Sequence, residues 1–166
     1  MHTTRNTLSE NVRTLSVELL NKHLSASIDL AAQVKQAHWN VRGTNFIALH
    51  ELFDTVATAV GTYSDQIAER TGGLGGTAEG TVQTATARSF LVPYDLGIAD
   101  GAQHVFAVAG SLAAFGESSR AAIGIATTQG DLETADLFTE VARGIARQLW
   151  LVESHAEPKT SVGLNH

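Results

Sequence analysis

The sequence predicts an all-α fold, a bundle of four long helices in which one connection is much longer than the others. Apolar residues recur every three to five positions in four segments of roughly 25–30 residues, which is the spacing of amphipathic helices. Only two prolines occur, and alanine, a strong helix former, is abundant. Two connections are short, whereas the third spans residues 72–97, and this pattern favours a bundle with one crossover over a simple up-and-down bundle.

The first long helix is expected to begin at a capping box and to end at a turn. Residues 7–10 (TLSE) have the order of a capping box, and residues 40–43 (NVRG) are typical of a turn. The helix is therefore predicted to end near Trp39. Its apolar stripe, which should face the core, consists of Val12, Leu15, Leu19, Leu24, Ile28, Ala31 and Val34.

The second long helix is predicted to follow Thr44 as its N-cap and to end at the glycine pair at positions 72 and 73. The connection after it should hold a short helix at residues 79–87, before Pro93 forces an extended or turn conformation. The inward residues of the second helix are expected to be Phe46, Leu49, Phe53, Val56, Val60 and Ile67.

The last two long helices are predicted over residues 98–127 and from a cap at Asp131 to about residue 156, ahead of Pro158. A chain of 166 residues has the size of one domain, here a single domain over residues 1–166 with short tails at residues 1–7 and 158–166. The inward stripe of the third long helix is Val105, Val108, Leu112, Phe115 and Ile123.

The composition excludes several classes of protein. There is no cysteine, so thiolate metal sites, iron–sulfur clusters and cysteine nucleophiles are ruled out, and a metal site must use nitrogen and oxygen ligands. The N-terminal residues lack the apolar core of a signal peptide, and no apolar run reaches ~18 residues. A cytoplasmic protein without a membrane helix is expected, with the nucleoid as an alternative location.

Four metal-ligand residues share one face of the second helix but form two separate pairs. At ~100° per residue, His50, Asp54, Asp65 and Glu69 fall within an arc of ~100°. At a rise of ~1.5 Å per residue, however, His50 and Asp65 are ~22 Å apart, whereas a first-row metal needs ligands at ~2.0–2.2 Å. One chain therefore offers two half-sites, which an antiparallel second copy could complete across a two-fold axis. The absence of a Glu-x-x-His motif also favours a centre shared between chains.

Several motifs at fixed spacing resemble those of one known family. They are residues 35–43 (KQAHWNVRG), 50–54 (HELFD), 65–70 (DQIAER), 93–95 (PYD) and 149–154 (LWLVES). Over roughly residues 8–157 the pattern is similar to the Dps family, the DNA-binding proteins from starved cells, which is a branch of the ferritin-like superfamily. The resemblance implies a ferritin-like four-helix bundle with a long crossover that carries a short helix.

The resemblance also implies a function and a site. Family members form a hollow dodecamer, oxidise Fe(II), typically with hydrogen peroxide, and store the Fe(III) as a mineral inside. Their iron sites lie at two-fold interfaces, with room for two irons each. His38 and His50 match the ligands from one subunit, and Asp54 matches the acidic residue beside them. Asp65 and Glu69 match the carboxylates that the partner subunit supplies.

Three further ring side chains receive separate interpretations. Trp39 matches the aromatic residue near the iron in the family, where it could intercept electrons or radicals, or simply pack. His23 and His104 lie on predicted helices and are expected at the surface or in an interface, not as metal ligands. The sequence alone assigns neither histidine a role.

An acidic cluster opens the fourth long helix at Asp131, Glu133 and Asp136. One interpretation is that these side chains cap the helix and interact favourably with its dipole. The other is that three copies meet at a three-fold axis and line a negative pore that admits iron, as in the family. Asp136 is the main candidate for such a pore.

The charge distribution does not predict strong DNA binding, although a nucleoid protein that compacts DNA and binds iron secondarily is the alternative function. DNA-binding members of the family often carry a tail rich in lysine and arginine, which neutralises phosphates. Here the first thirteen residues contain only Arg5 and Arg13 as basic residues, the last ten contain only Lys159, and the net charge is −6. Iron oxidation and storage is therefore the primary functional prediction.

Overall fold

The computed structural model describes residues 1–156, which contain five α-helices. These are α1 (Glu10–Asn40), α2 (Phe46–Gly73), α3 (Val82–Arg88), α4 (Gly101–Gln129) and α5 (Leu132–Glu153). The four long helices and the short helix in the crossover confirm the predicted all-α bundle. The predicted stop at Pro158 and the tail over residues 158–166 lie outside the described residues.

The long helices pack as two hairpins, α1 with α2 and α4 with α5, which contact each other through α1–α4 and α2–α5. The short helix α3 packs on α1 and anchors the crossover to the first hairpin. Phe53, Phe115 and Phe138 come from three different helices and are all fully buried. Burial of a large apolar side chain contributes about 1.5–3 kcal/mol to the stability of the fold, so this core is the main interaction that holds the two hairpins together. None of the helices within residues 1–156 combines the length and the apolar composition that a membrane crossing requires.

The N-caps of the first two helices differ from the predicted ones by one or two residues. Ser9, rather than Thr7, caps α1, and its Oγ accepts a hydrogen bond from the Val12 amide at 3.3 Å. Asn45, rather than Thr44, is the N-cap of α2 and makes no side-chain capping bond. Thr7 and Ser9, like Thr44 and Asn45, are both good N-cap residues, so the direction in which the chain enters the helix decides which of the two is the cap.

Other helix bounds are likewise set by caps. Thr81 caps α3, so this helix begins later than predicted, and Asp100 caps α4, which begins at residue 101 rather than 98. Gly130, at φ 84°, ends α4 in the left-handed conformation that glycine adopts without strain. Asp131 caps α5 as predicted, but α5 ends at Glu153, ahead of the expected residue 156.

Two residues of the predicted inward stripes are exposed. Leu15 and Phe46 retain 37% and 38% of their surface. Both lie within the first two turns of their helices. Phe46 instead packs beside His50, with ring centroids 5.1 Å apart.

Two histidines that were predicted at the surface or in an interface are instead buried in the core of the chain. His23 and His104 are each 1% exposed. The Nδ1 of His23 donates to the Leu19 carbonyl at 2.8 Å, its Nε2 accepts from the Ser118 hydroxyl at 3.0 Å, and its ring packs edge-on against Phe138. Burial lowers the pKa of His23, so a neutral imidazole with both nitrogens satisfied serves as a core residue. Spacing along a helix could not reveal Ser118 and Phe138, which lie on other helices of the bundle.

Gln33 on α1 ties the crossover to the bundle. Its Nε2 donates to the Val92 carbonyl at 3.1 Å and to Asp29 at 3.2 Å, while its Oε1 accepts from the Ser111 hydroxyl on α4 at 2.7 Å. The Ser89 hydroxyl donates to the other oxygen of Asp29. The crossover after α3 is thereby fixed against both α1 and α4.

Candidate metal centre

His38 and His50 lie face to face where α1 turns into α2. The short turn at residues 41–45, with Val41 buried, folds the end of α1 against the start of α2. The two imidazole rings are stacked, with centroids 3.8 Å apart and planes inclined by 20°. The Nδ1 of His38 lies 2.7 Å from the main-chain oxygen of His50, and the Nδ1 of His50 lies 2.8 Å from the main-chain oxygen of His38.

These reciprocal hydrogen bonds determine which nitrogen of each ring can bind a metal. A carbonyl oxygen only accepts hydrogen bonds, so Nδ1 carries the proton in both His38 and His50. With the proton of the neutral form on Nδ1, the lone pair of each ring is on Nε2, the form in which histidine ligates metal ions. Both residues are half-buried, so the rings are held in place but remain accessible. The half-site thus has two nitrogen donors prepared by the chain itself.

Asp54, the third candidate ligand of this half-site, forms an ion pair with Lys35, a residue that was not predicted to take part in the site. The Lys35 Nζ lies 2.7 Å from Asp54 Oδ1 and also sits over the Trp39 ring, 5.7 Å from its centroid. The hydrogen bond and the charge of Lys35 lower the pKa of Asp54. The side chain of Asp54 is 54% exposed and Trp39 is 66% exposed, so this ion pair is at the surface, where it can rearrange at little cost. Lys35 precedes His38 by three residues and Trp39 by four, and this helical spacing is the sequence signal that could have placed Lys35 at the site.

Asp65 and Glu69 are exposed and lie one turn apart near the other end of α2. That end is held by Arg70, whose guanidinium donates to Thr134 at 3.0 Å and lies 2.7 Å from Asp131 on α5. Within residues 1–156, no group of three or more His, Cys, Asp or Glu side chains lies close enough together to hold a metal ion. The described part of one chain therefore presents two incomplete halves of a site.

The two half-sites are symmetric about one point on α2. The pair His50 and Glu69 and the pair Asp54 and Asp65 are both centred between residues 59 and 60. An antiparallel copy of α2 that crosses at this point places each histidine-side residue opposite a carboxylate-side residue. Gly61 lies beside the crossing point, is exposed, and has no atom within 4 Å of the position that a Cβ would occupy. The packing of the chain itself therefore gives no reason for a glycine there.

The acidic cluster at the start of α5 divides into one buried and two exposed carboxylates. Asp131 is fully buried, accepts from the Thr134 amide at 3.0 Å, and pairs with Arg70. It therefore caps α5 and is not available to line a pore, which corrects the pore hypothesis for this residue. Glu133 is 75% exposed and lies 3.0 Å from Arg70, and Asp136 is exposed. The pore remains a prediction for Glu133 and Asp136 alone.

Comparison with known proteins finds relatives of the same fold. The chain matches the ferritin-like domain over residues 17–158. A DNA protection during starvation protein of Agrobacterium fabrum is 38% identical over 159 residues, which cover 96% of this chain and 98% of that protein. The solved structure of Mycobacterium smegmatis Dps has a TM-score of 0.90 at 30% identity, covering 100% of this chain and 99% of that chain. The Dps of Microbacterium arborescens in its high iron form has a TM-score of 0.83 at 31% identity, covering 90% and 97%.

Proposed function

Because this chain belongs to the Dps family of ferritin-like proteins, we propose that it oxidises Fe(II) at a centre shared by two copies and stores the Fe(III) product. The observation that carries the proposal is the stacked pair of histidines, whose reciprocal hydrogen bonds leave both Nε2 atoms free. Imidazole and carboxylate donors suit iron(II). The described residues of one chain supply these donors only as separated half-sites, which supports a shared centre.

In the proposed centre, the second half comes from an antiparallel copy of α2. His38 and His50 of one subunit bind Fe(II) beside the Asp65 and Glu69 of a second copy, and a carboxylate that bridges gives room for two irons. Gly61 fits this arrangement, because it lies beside the crossing point on the face of α2 that carries the candidate ligands and has no side chain to hold a second helix away.

Hydrogen peroxide is the oxidant that we assign. Two Fe(II) ions at one centre lose one electron each, and peroxide takes up both electrons and two protons to form two molecules of water. Because the electrons leave as a pair, the centre avoids the hydroxyl radical that a single Fe(II) ion releases from peroxide. Lys35 keeps Asp54 ionised, so that its carboxylate is available when an iron ion displaces the ammonium group. Trp39 remains the candidate for intercepting radicals beside the centre.

Storage requires a shell, and we assign a hollow dodecamer. A two-fold contact through α2 closes at a dimer, so a shell needs a second kind of contact between subunits. Phe106, Val92 and Leu96 are 83%, 80% and 76% exposed and offer apolar surface for such a contact. Glu133 and Asp136 are the candidates for an acidic pore that admits Fe(II).

Removing either half of the centre should abolish rapid iron oxidation and leave the assembly intact. The variants His50→Ala and Asp65→Ala each lose one donor, and we expect the oxidation rate to fall by at least about tenfold. Stopped-flow absorbance with peroxide and with dioxygen measures the rate, and native mass spectrometry measures the assembly. His155→Ala, which changes an exposed histidine outside the centre, is the matched control and should keep the normal rate. Unchanged kinetics in both ligand variants would refute the site.

Mixing subunits tests whether the centre is shared. His50→Ala and Glu69→Ala are each expected to be inactive alone. Hybrids of the two should regain part of the activity, because one of the two centres at a mixed two-fold interface keeps all its ligands. Absence of recovery in hybrids verified by mass would show that the two half-sites do not complete each other.

DNA compaction is not supported by the described N-terminal segment. Its basic side chains are Arg5 and Arg13, and the Arg13 Nη1 donates to the Leu74 carbonyl at 3.0 Å. The His2 amide donates to the Gly75 carbonyl at 2.6 Å, so the segment packs against the end of α2. Electrostatic binding to phosphates needs several free cations. We therefore assign this segment no DNA-binding role.

A further inference from the structure

Tyr94 in the crossover and His104 on α4 form a hydrogen-bonded pair that the proposed iron centre does not use. The Tyr94 hydroxyl lies 2.6 Å from the His104 Nδ1. His104 is 1% exposed and Tyr94 is half-buried. Tyr94 lies two residues after Val92, whose carbonyl accepts a hydrogen bond from Gln33. This bond holds the segment that carries Tyr94 in place.

The surroundings of His104 set the direction of this hydrogen bond. Its Nε2 is buried without a hydrogen bond of good geometry, and the main chain of Asn40 is the polar group beside the ring other than the Tyr94 hydroxyl. A carbonyl oxygen at that place repels a lone pair, so Nε2 carries the ring proton and Nδ1 accepts from the phenol. Burial and the nearby Asp95 raise the pKa of Tyr94 to about 12, and burial lowers the pKa of His104. Both rings are therefore neutral near neutral pH, and the phenol remains a donor.

The pair adjoins the end of α1 that carries the histidine half-site. Asn40 is the last residue of α1, directly after Trp39 and two residues after His38. At ~1.5 Å per residue, the Cα atoms of His38 and Asn40 differ by ~3 Å along the helix axis. A continuous path of bonds and contacts thus leads from Trp39 through Asn40 to His104 and Tyr94.

We propose that Tyr94 is a proton-coupled oxidation site that takes up oxidising equivalents which escape the iron centre. This inference rests on the proposed function. When one Fe(II) ion alone reduces peroxide, the products are Fe(III), hydroxide and a hydroxyl radical. The radical takes an electron from Trp39 and becomes hydroxide, and Tyr94 returns that electron to Trp39.

The oxidation of Tyr94 breaks its O–H bond, and the proton moves to the Nδ1 of His104. The immediate products are a neutral tyrosyl radical and an imidazolium. The imidazolium then gives its proton to the hydroxide. In the overall reaction, tyrosine and a hydroxyl radical are converted into a tyrosyl radical and water. Because the acceptor is already hydrogen bonded at 2.6 Å, the proton travels a short distance and no charged phenol radical has to form in a half-buried place.

The only other tyrosine of the chain, Tyr63, provides the control. It lies on α2 with its hydroxyl against Gly144 of α5, where a Cβ would be 1.9 Å from the phenol oxygen. No histidine within residues 1–156 accepts a hydrogen bond from it, and its charged neighbours are Glu140 and Arg147. Tyr63 thus has similar burial without a proton acceptor of the same kind.

Electron paramagnetic resonance of samples frozen soon after mixing with Fe(II) and excess peroxide tests the proposal. The wild type should show a tyrosyl radical, identified by the narrowing of its signal when the protein contains ring-deuterated tyrosine. Tyr94→Phe should lose this signal, and Tyr63→Phe should keep it. His104→Gln should lower the yield and shift the g-value that reports a hydrogen bond to the phenoxyl oxygen, which a purely structural role would leave unchanged.

A second arm without iron separates this proposal from the proposed function. Photochemically generated sulfate radicals oxidise the wild type and both tyrosine variants in the same way, and thermal unfolding verifies that each variant is folded. A signal that persists in Tyr94→Phe in both arms overturns the proposal, and so does one that is lost in Tyr63→Phe instead. A Tyr94 signal in the photochemical arm alone overturns the link to the iron centre. The rate of Fe(II) oxidation, measured separately, decides on the proposed function.

Discussion

Two main-chain carbonyls, those of His38 and His50, prepare the histidine half-site before a metal arrives. Each carbonyl fixes the tautomer and the orientation of the opposite ring. Because each acceptor belongs to the other ligand, a displacement of one residue removes support from both rings. The turn between α1 and α2 and the metal half-site are therefore one structural unit.

The identities of the candidate ligands could be predicted from the sequence, but their surroundings could not. Residue type and spacing placed His50, Asp65 and Glu69 on one face of α2, and the structure has all three on that helix. Lys35, which pairs with Asp54, was missed because the two residues lie on different helices. A helical period shows which residues share a face, whereas contacts between helices depend on how the helices pack.

The buried carboxylate of Asp131 makes the stability of the fold depend on pH. Burial acts to raise its pKa, but hydrogen bonds from Thr134 and the charge of Arg70 outweigh burial and lower it. A pKa below the unfolded value of ~3.9 means that the carboxylate stabilises the fold above that pH. This contribution is lost as the pH falls through the lower, folded value.

We therefore expect Asp131→Asn to be less stable than the wild type mainly at neutral pH. Asparagine keeps a capping oxygen but loses the charge opposite Arg70, and the free energy of unfolding should fall by about 1–3 kcal/mol. The difference should begin to shrink below about pH 4, where Asp131 of the unfolded chain takes up a proton, and should shrink further as the pH falls through the lower pKa of the folded wild type. Urea denaturation across this range measures it, with Asp136→Asn at an exposed position as control. A difference that is constant with pH would contradict the assignment.

At the scale of helices, order and type followed from apolar periodicity, while some of the helix ends differed from the predicted ones. The caps of α1 and α2 moved by one or two residues, since Ser9 and Asn45 each have a neighbour of similar capping ability. His23 and His104 were misplaced for a related reason. A polar ring is compatible with the surface or with a core that supplies hydrogen-bond partners, and only the packing of α4 and α5 against α1 decides between them.

Gly144 on α5 marks a close contact between helices that can be tested by adding one methyl group. A Cβ at this position would lie 1.9 Å from the Tyr63 hydroxyl, so Gly144→Ala has to displace the ring. We expect the free energy of unfolding to fall by about 1–3 kcal/mol. Gly124→Ala, at an exposed helical glycine with open space around it, should instead gain about 0.5–1 kcal/mol. Denaturation at matched protein concentration measures both, and equal effects would exclude the proposed contact.

At the scale of the molecule, the separation of the half-sites makes the proposed activity a property of the assembly. The histidine half-site lies at the start of α2 and the carboxylates lie near its end, and the pairs His50/Glu69 and Asp54/Asp65 are both centred between residues 59 and 60. If two antiparallel copies cross there, every ligand on one copy has a counterpart on the other. Contact at the crossing point is then as necessary for iron oxidation as the ligands themselves.

Gly61 allows this dependence to be tested without touching a ligand. Gly61→Leu places a large side chain at the crossing point, although nothing in the same chain obstructs it, so each subunit should stay folded. We expect the α2 contact to weaken, the native mass to fall, and rapid Fe(II) oxidation to be lost together with it. Gly124→Leu makes the same change on an exposed face of α4 and should keep the oxidation rate. Normal oxidation by Gly61→Leu would mean that the copies do not meet at residues 59 and 60, and the two half-sites would then need another route to each other.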